Sequence, residues 1–209
     1  MLLHERKARR VGYRHIAGVD EAGRGPLAGP VVACALVLRD TRFKNRIDDS
    51  KKLTPRARLL AYREIIRKAH FGIGTISERT IDEINIYNAT KRAMQEAVGN
   101  LAIKPDFLLV DGKIKFTTRF RCSHIIRGDS KSLSIACASI VAKVTRDRMM
   151  ERLHKKFPRY NFAKHKGYGT KEHMARIDEY GPCPIHRRSF RPVKFYSEGT
   201  FHLLKTEKS

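Results

Sequence analysis

Acidic residues are scarce in this sequence. Its 209 residues hold 21 Asp and Glu against 44 Lys and Arg, a formal net charge of +23. An imbalance of that size costs stability through self-repulsion and attracts polyanions, so a nucleic-acid partner is the first functional expectation. A membrane surface is the weaker one, because the basic residues spread over both ends (Arg6 to Arg14, Arg187 to Lys208) and the interior rather than along one face of an amphipathic helix. Long hydrophobic runs are also missing. No stretch approaches the ~18 consecutive apolar residues of a membrane span. The opening Met-Leu-Leu-His-Glu-Arg-Lys lacks the apolar core of a secretory leader, so a cytoplasmic location is expected. The four cysteines (Cys34, Cys122, Cys137, Cys183) form no Cys-x-x-Cys pair. That spacing argues against a structural zinc or a disulfide framework and for reduced, packed thiols. Internal repeats and low-complexity segments are absent, and with 41% hydrophobic residues the chain has material for the core of one domain.

Residues 1–14 carry five Lys or Arg without periodicity and read as a frayed terminus or a nucleic-acid arm, with the fold starting near His15. Ile16 to Val19 and Val31 to Leu38 are short, β-branched runs bounded by Gly and Pro, and both are expected strands. The second is apolar on both faces, as a central strand must be. Thr54-Pro55 supplies a cap and a first-turn proline for a helix of about 15 residues, with Leu59, Tyr62, Ile66 and Ala69 at helical spacing. Phe71 to Ile76 reads as a strand. Thr80 to Glu83 matches a capping box for a short helix, and Asn85 or Asn88 starts another carrying Ala93, Met94, Ala97 and Leu101. Phe107 to Val110 and Cys122 to Ile126 complete five strands. From Leu133 to Phe157 runs the longest helical pattern, kept slim by Ala136, Ala138, Ser139 and Ala142, so it should lie closest to the sheet. Beyond Pro158 the pattern weakens, with one short helix expected over Lys171 to Glu179. The order of elements gives an α/β fold with a five-stranded mixed sheet flanked by helices. Three regions are expected: the arm 1–14, a core 15–157, and a C-terminal helical and irregular extension 158–209.

Asp20-Glu21 ends the first strand and runs into Ala22-Gly23-Arg24-Gly25-Pro26. A lone Asp there is usually a turn former. Two adjacent acids in a chain short of acids, followed by glycines that let backbone N–H groups approach a ligand, call for more. Asp111 ends the fourth strand in the same way. If the first and fourth strands are parallel neighbours, Asp20 and Asp111 leave one sheet edge about 5 Å apart. Asp129 either joins them or caps the slim helix. Clustered carboxylates raise one another's pKa, and hard divalent cations relieve that. Oxygen-only ligands select Mg²⁺ or Mn²⁺, and two such ions can activate a water and stabilise a leaving oxygen in phosphodiester hydrolysis. Asp49-Ser50-Lys51 and Asp129-Ser130-Lys131 repeat one tripeptide whose hydroxyl and ammonium suit a phosphate, or serve as solvated turns. In His165-Lys166-Gly-Tyr168-Gly-Thr170, the tyrosine stacks on a sugar or base, or packs half-buried.

With these residues assembled, the chain resembles the type 2 ribonucleases H, the bacterial ribonuclease HII group. The segments that carry the likeness are 18–32, 49–53, 109–112, 128–148, 165–170 and 186–190, in one order over nearly the whole chain. The resemblance implies a ribonuclease H-like fold with the first and fourth strands adjacent and parallel. It implies cleavage of RNA hybridised to DNA and incision at single ribonucleotides in duplex DNA, with Mn²⁺ or Mg²⁺ as cofactor. Asp20, Glu21, Asp111 and Asp129 match the metal-binding acids. Gly23, Arg24 and Gly25 match the loop that contacts the 2′-hydroxyl, and Tyr168 the tyrosine against the junction sugar. Ser50, Lys51, Ser130, Lys131 and Lys166 fall where the substrate backbone is held. The expected partners are RNA–DNA hybrid and ribonucleotide-containing duplex DNA, and the expected state is a monomer. Cys137 departs from the Ala usual in the family. The rival readings are a DNA-directed nuclease on the same acids and a basic RNA-binding module whose acids are turn residues.

Overall fold

The computed structural model describes residues 1–197; the last twelve positions of the expected C-terminal extension, 198–209, lie outside the described residues. Five strands form one mixed sheet. They are β1 (Ile16–Ala22), β2 (Val31–Leu38), β3 (Ala69–Ile76), β4 (Phe107–Asp111) and β5 (Arg121–Ile125), in the order β3-β2-β1-β4-β5. β1–β2 and β2–β3 are antiparallel, and β1–β4 and β4–β5 are parallel.

Period-two alternation sorts the strand residues onto two faces. Ala17, Val19, Val31, Ala33, Ala35, Val37, Leu108 and Val110 pack with α3 (Glu78–Gly99). Cys34 and Leu36 pack on the opposite face with α2 (Pro55–Lys68) and α4 (Leu133–Lys156). The slim helix expected from its small residues is α4, and it lies so close to β1 that a Cβ on Gly18 would stand 2.2 Å from the Ser134 carbonyl carbon. Gly72 and Gly74 give α3 the same close approach to β3, against the carbonyls of Ala97 and Ala93.

Four local expectations are corrected. The basic start of the chain is neither frayed nor an arm: α1 (Leu3–Arg10) docks with Glu5 and Ala8 buried. The cap of α3 is Ser77, whose hydroxyl accepts from Thr80 N–H, rather than Thr80 itself. The two short helices expected there are one element kinked at Asn85, which takes φ 64° and accepts from Asn88 N–H. Asp129 does not cap α4. It sits in a 3₁₀ turn, Gly128–Ser130, and Ser132 is the cap, accepting from Ile135 N–H at 3.3 Å.

The region after Pro158 is more regular than its sequence pattern. It forms α5 (Phe162–His165), α6 (Lys171–Tyr180) and α7 (Val193–Ser197), and it joins the strand region through a bridge between Ala28 and His186. Among the described residues no helix is long and apolar enough to cross a membrane, and the four cysteines are free thiols, three of them buried.

Candidate active site

The β1–β4 register pairs Val19 with Val110, so the next step along both strands brings Asp20 beside Asp111 at their carboxyl ends, where α/β sheets characteristically bind ligands. Both lie on the face covered by α4, two residues beyond Gly18 and Leu109. A cleft of ≈ 300 Å³ opens there, lined by Asp20, Glu21, Gly23, Arg24, Gly25, Ser50, Lys51, Asp111, Asp129, Ser139, Lys143 and Tyr168 among others. Ten residues singled out in the sequence therefore share one cleft. Ser130, Lys131 and Lys166 do not line it. Ser130 Oγ and Lys131 Nζ donate back to the carbonyls of Arg127 and Ile126, and Lys166 pairs with Glu151 at 2.7 Å.

The electrostatics are those of crowded acids. Asp20 is 5% exposed, and burial, then the charges of Glu21 and Asp111, hold its carboxyl well above the usual range. The Ser139 hydroxyl opposes that shift and is itself 3.0 Å from Ser50 Oγ, so Ser50 reaches Asp20 through Ser139. Glu21 is raised by burial against the pull of Arg24, whose Nη1 stands 3.4 Å from Glu21 Oε1. Asp129 is raised by burial, then by Asp49 and Asp111.

Two residues outside the expected site set, Ser139 and Lys143, complete the cleft. They stand four apart on α4, the spacing that shares a helix face. Lys143 Nζ sits 5.6 Å over the Tyr168 ring and pairs with Asp147 at 2.8 Å. Behind the cleft, two arginines without exposure hold the loop after β1 by its carbonyls. Arg146 donates to Ala28, Pro30 and Lys166, and Arg187 donates to Gly23, Arg24 and Gly29. Burial lowers their pKa values, to about 10 and about 9. Gly23 has φ +97°, and a Cβ there would meet Arg146 Nε at 2.1 Å, so only glycine lets the loop close on its arginine. No sequence pattern marks these two among 44 cations.

Whether the acids suit a metal turns on their donor chemistry. No three His, Cys, Asp or Glu side chains among the described residues are gathered into a ready-made cation site. The acids of the cleft are instead turned to local partners: Asp20 Oδ1 to Glu21 N–H, Asp111 Oδ1 to Gly128 N–H at 2.6 Å, and Glu21 to Arg24. The donor set is oxygen-only, and burial with mutual repulsion leaves it short of positive charge. It therefore fits a hard divalent ion.

The ribonuclease HII family model matches residues 17–193. The chain is 54% identical over 188 residues to ribonuclease HII of Syntrophus aciditrophicus, covering 90% of this chain and 89% of that protein. It is 53% identical over 191 residues to ribonuclease HII of Acetivibrio thermocellus, covering 91% and 75%. Among solved structures it is similar to ribonuclease H2 of Pyrococcus horikoshii, with TM-score 0.75 and 27% identity over 90% of this chain and 99% of that one. It is also similar to RNase HII of Archaeoglobus fulgidus, solved with PCNA, with TM-score 0.72 and 28% identity over 85% and 96%. The chain belongs to the ribonuclease HII family and is a metal-dependent ribonuclease H.

Proposed function

We propose that this protein is a cytoplasmic, monomeric endoribonuclease that cuts the RNA strand of RNA–DNA hybrids and also incises 5′ of single ribonucleotides embedded in duplex DNA, leaving 3′-hydroxyl and 5′-phosphate ends. Asp20, Glu21, Asp111 and Asp129 would hold two Mn²⁺ or Mg²⁺ ions. Bound there, the ions supply Lewis-acid polarisation of the scissile phosphodiester and offset the charge of the departing oxygen. The observation that carries the reading is the meeting, in one cleft, of acids from two parallel strand ends with a glycine loop and an exposed tyrosine.

The chain's own residues divide the remaining work. Ser139, backed by Ser50, orients Asp20. Arg24, Lys51 and Lys143 set positive charge around the acids, where the phosphates of a nucleic-acid strand must lie. Arg187 takes the carbonyls of Gly23 and Arg24, so the loop offers N–H groups to the cleft, donors for a ribose 2′-hydroxyl that deoxyribose lacks. Tyr168, 40% exposed, stands 3.9 Å from where a Cβ on Gly25 would be, positioned to pack on the same sugar. The test is cleavage of a labelled DNA duplex holding one ribonucleotide, beside an all-DNA control, with Mg²⁺ and with Mn²⁺. Incision only 5′ of the ribonucleotide is expected. Cutting of both duplexes would discard ribose sensing, and cutting of neither would discard incision at single ribonucleotides.

A further inference from the structure

Three buried histidines in the C-terminal part of the chain have no role in the reading above, yet all bear on the loop that presents Tyr168. His165, His173 and His186 are 7%, 0% and 1% exposed. His165 and His173 stack at 4.3 Å, and the rings of Tyr160 and Phe162 pack around the group. We propose that His173 and His186 are positioning residues that hold Tyr168 against the Gly23–Gly25 loop through a proton-ordered chain of neutral rings. The proposal rests on Tyr168 being a substrate contact.

The order follows from what each partner can do. His173 Nδ1 lies 2.9 Å from the Tyr168 carbonyl, which only accepts, so Nδ1 carries the proton. The other nitrogen of a neutral ring is then an acceptor. It lies 3.0 Å from His186 Nε2, which must donate. That leaves His186 Nδ1 as the acceptor, and it meets Cys183 N–H at 2.9 Å. On the other flank His165 donates from Nε2 to the Tyr160 carbonyl at 2.7 Å and accepts Gly167 N–H at Nδ1, one residue before Tyr168. His186 Nδ1 also has the Cys183 carbonyl at 3.3 Å and its Sγ at 3.1 Å, but the N–H contact is the shortest, and with the donor required at Nε2 it selects this tautomer. A second proton on His165 or His173 would set donor against donor. The nearby Glu172 is already engaged by Lys164 and Asn161. Burial pushes His173 and His186 down to about 4, in keeping with neutral rings.

The chain ends on the turn that also fixes the glycine loop. His186 precedes Arg187, whose guanidinium holds Gly23 and Arg24. Leu27 N–H donates to the Gly167 carbonyl at 2.8 Å, and Gly29 N–H to the Ile185 carbonyl at 2.8 Å. Tyr168 is 40% exposed, and its backbone is registered on the same turn as the loop it faces.

Two substitutions separate positioning from simple packing. His173→Asn places an amide N–H near the Nδ1 position and keeps the donor to Tyr168. His173→Gln places an amide oxygen near the Nε2 position, keeping the acceptor for His186 and dropping that donor. Cleavage of a single-ribonucleotide duplex and of a long hybrid is measured for each, with melting temperature, in the wild-type and Tyr168→Ala backgrounds. The expected result is a loss of about tenfold for His173→Gln on the single-ribonucleotide duplex, against about threefold or less for His173→Asn, consistent with one lost hydrogen bond. No further loss is expected from His173→Gln in the Tyr168→Ala background. Equal losses that follow melting temperature, or an undiminished loss in that background, would overturn the proposal. Long-range proton–nitrogen spectra give a readout independent of cleavage. A proton on His173 Nδ1 and on His186 Nε2 from about pH 5 to 8 is expected, and any other tautomer, or titration in the ordinary histidine range, overturns the chain. If Tyr168→Ala cleaves like wild type while the spectra show the expected order, the substrate-contact reading of Tyr168 fails and the proton order stands.

Discussion

At the residue scale, the cleft depends on groups whose surroundings are fully specified. Gly23 is the clearest case. It combines φ +97° with a Cβ position 2.1 Å from Arg146 Nε and 2.4 Å from its Cδ, and that arginine cannot swing away because its donors are bound to three carbonyls. Gly23→Ala is expected to lose at least the ~1–3 kcal/mol that a strained non-glycine residue costs, read from urea unfolding, together with cleavage at single ribonucleotides. Unchanged stability would contradict the closeness of the loop to Arg146. The acids were legible in the sequence because an apolar run followed by Asp announces a strand end; that the two ends are neighbours was implied only by the resemblance, and the β1–β4 pairing supplies it. Arg146 and Arg187 were not, since a guanidinium in a basic chain reads as solvated surface until the carbonyls it serves are known. Lys131 and Lys166 also look like phosphate contacts in the sequence, and the structure shows each engaged by a local partner outside the cleft.

At the element scale, α4 is the part that positions the cleft, and α1 fastens it. Glu5 is 6% exposed, and its Oε1 accepts from the Ser132 hydroxyl and from the hydroxyl and N–H of Ser134, at 2.6, 2.7 and 3.0 Å. The carboxylate thus serves the start of a helix it does not belong to, where negative charge is favoured. Glu5→Ala leaves those donors buried without a partner and is expected to cost about 1–3 kcal/mol of unfolding free energy. Because Ser132 N–H bonds to Gly128 in the turn that holds Asp129, cleavage is expected to fall with it. A chemical denaturation series checks the first point, and a stability within about 0.5 kcal/mol of wild type, the range of inconsequential surface changes, would show that α1 is not a fastener. The sequence shows α4 through its small residues and four of the strands through their apolar or alternating runs, while β5, Arg-Cys-Ser-His-Ile, has no such run. It hid α1 because the buried residues of the helix are Glu5 and Ala8, one acidic and one small, among four cations. The cap of α3 was displaced by three residues because Ser77 and Thr80 present the same signal, and only the strand end at Ile76 decides between them.

At the scale of the whole molecule, charge and buried histidines set the response to solution conditions. The +23 charge suits a polyanionic substrate, and it leaves the crowded acids of the cleft as a local exception. His165, His173 and His186 all have pKa values below the ordinary 6.5, the last two at about 4, with burial the largest cause. The unfolded chain therefore binds protons that the folded one refuses as pH falls from 6.5 toward 4. Stability is lost in that window by ~1.4 kcal/mol per pH unit for each of His173 and His186, His165 adds in the same direction, and the contribution is absent above it. Urea unfolding across these pH values is expected to show the decline, with a shallower slope for His173→Gln. Equal slopes would remove His173 from the linkage.

Everything proposed for the cleft depends on the acids from two parallel strand ends serving as a divalent cation site. Calorimetric titration of the intact chain with Mn²⁺, beside Asp20→Asn and Asp111→Asn, tests it most directly. Binding by the wild type is expected, with a loss in each variant beyond the ~10- to 100-fold typical of an outer-shell partner, turnover falling in parallel and substrate binding retained. Equal Mn²⁺ affinity in all three proteins would contradict it.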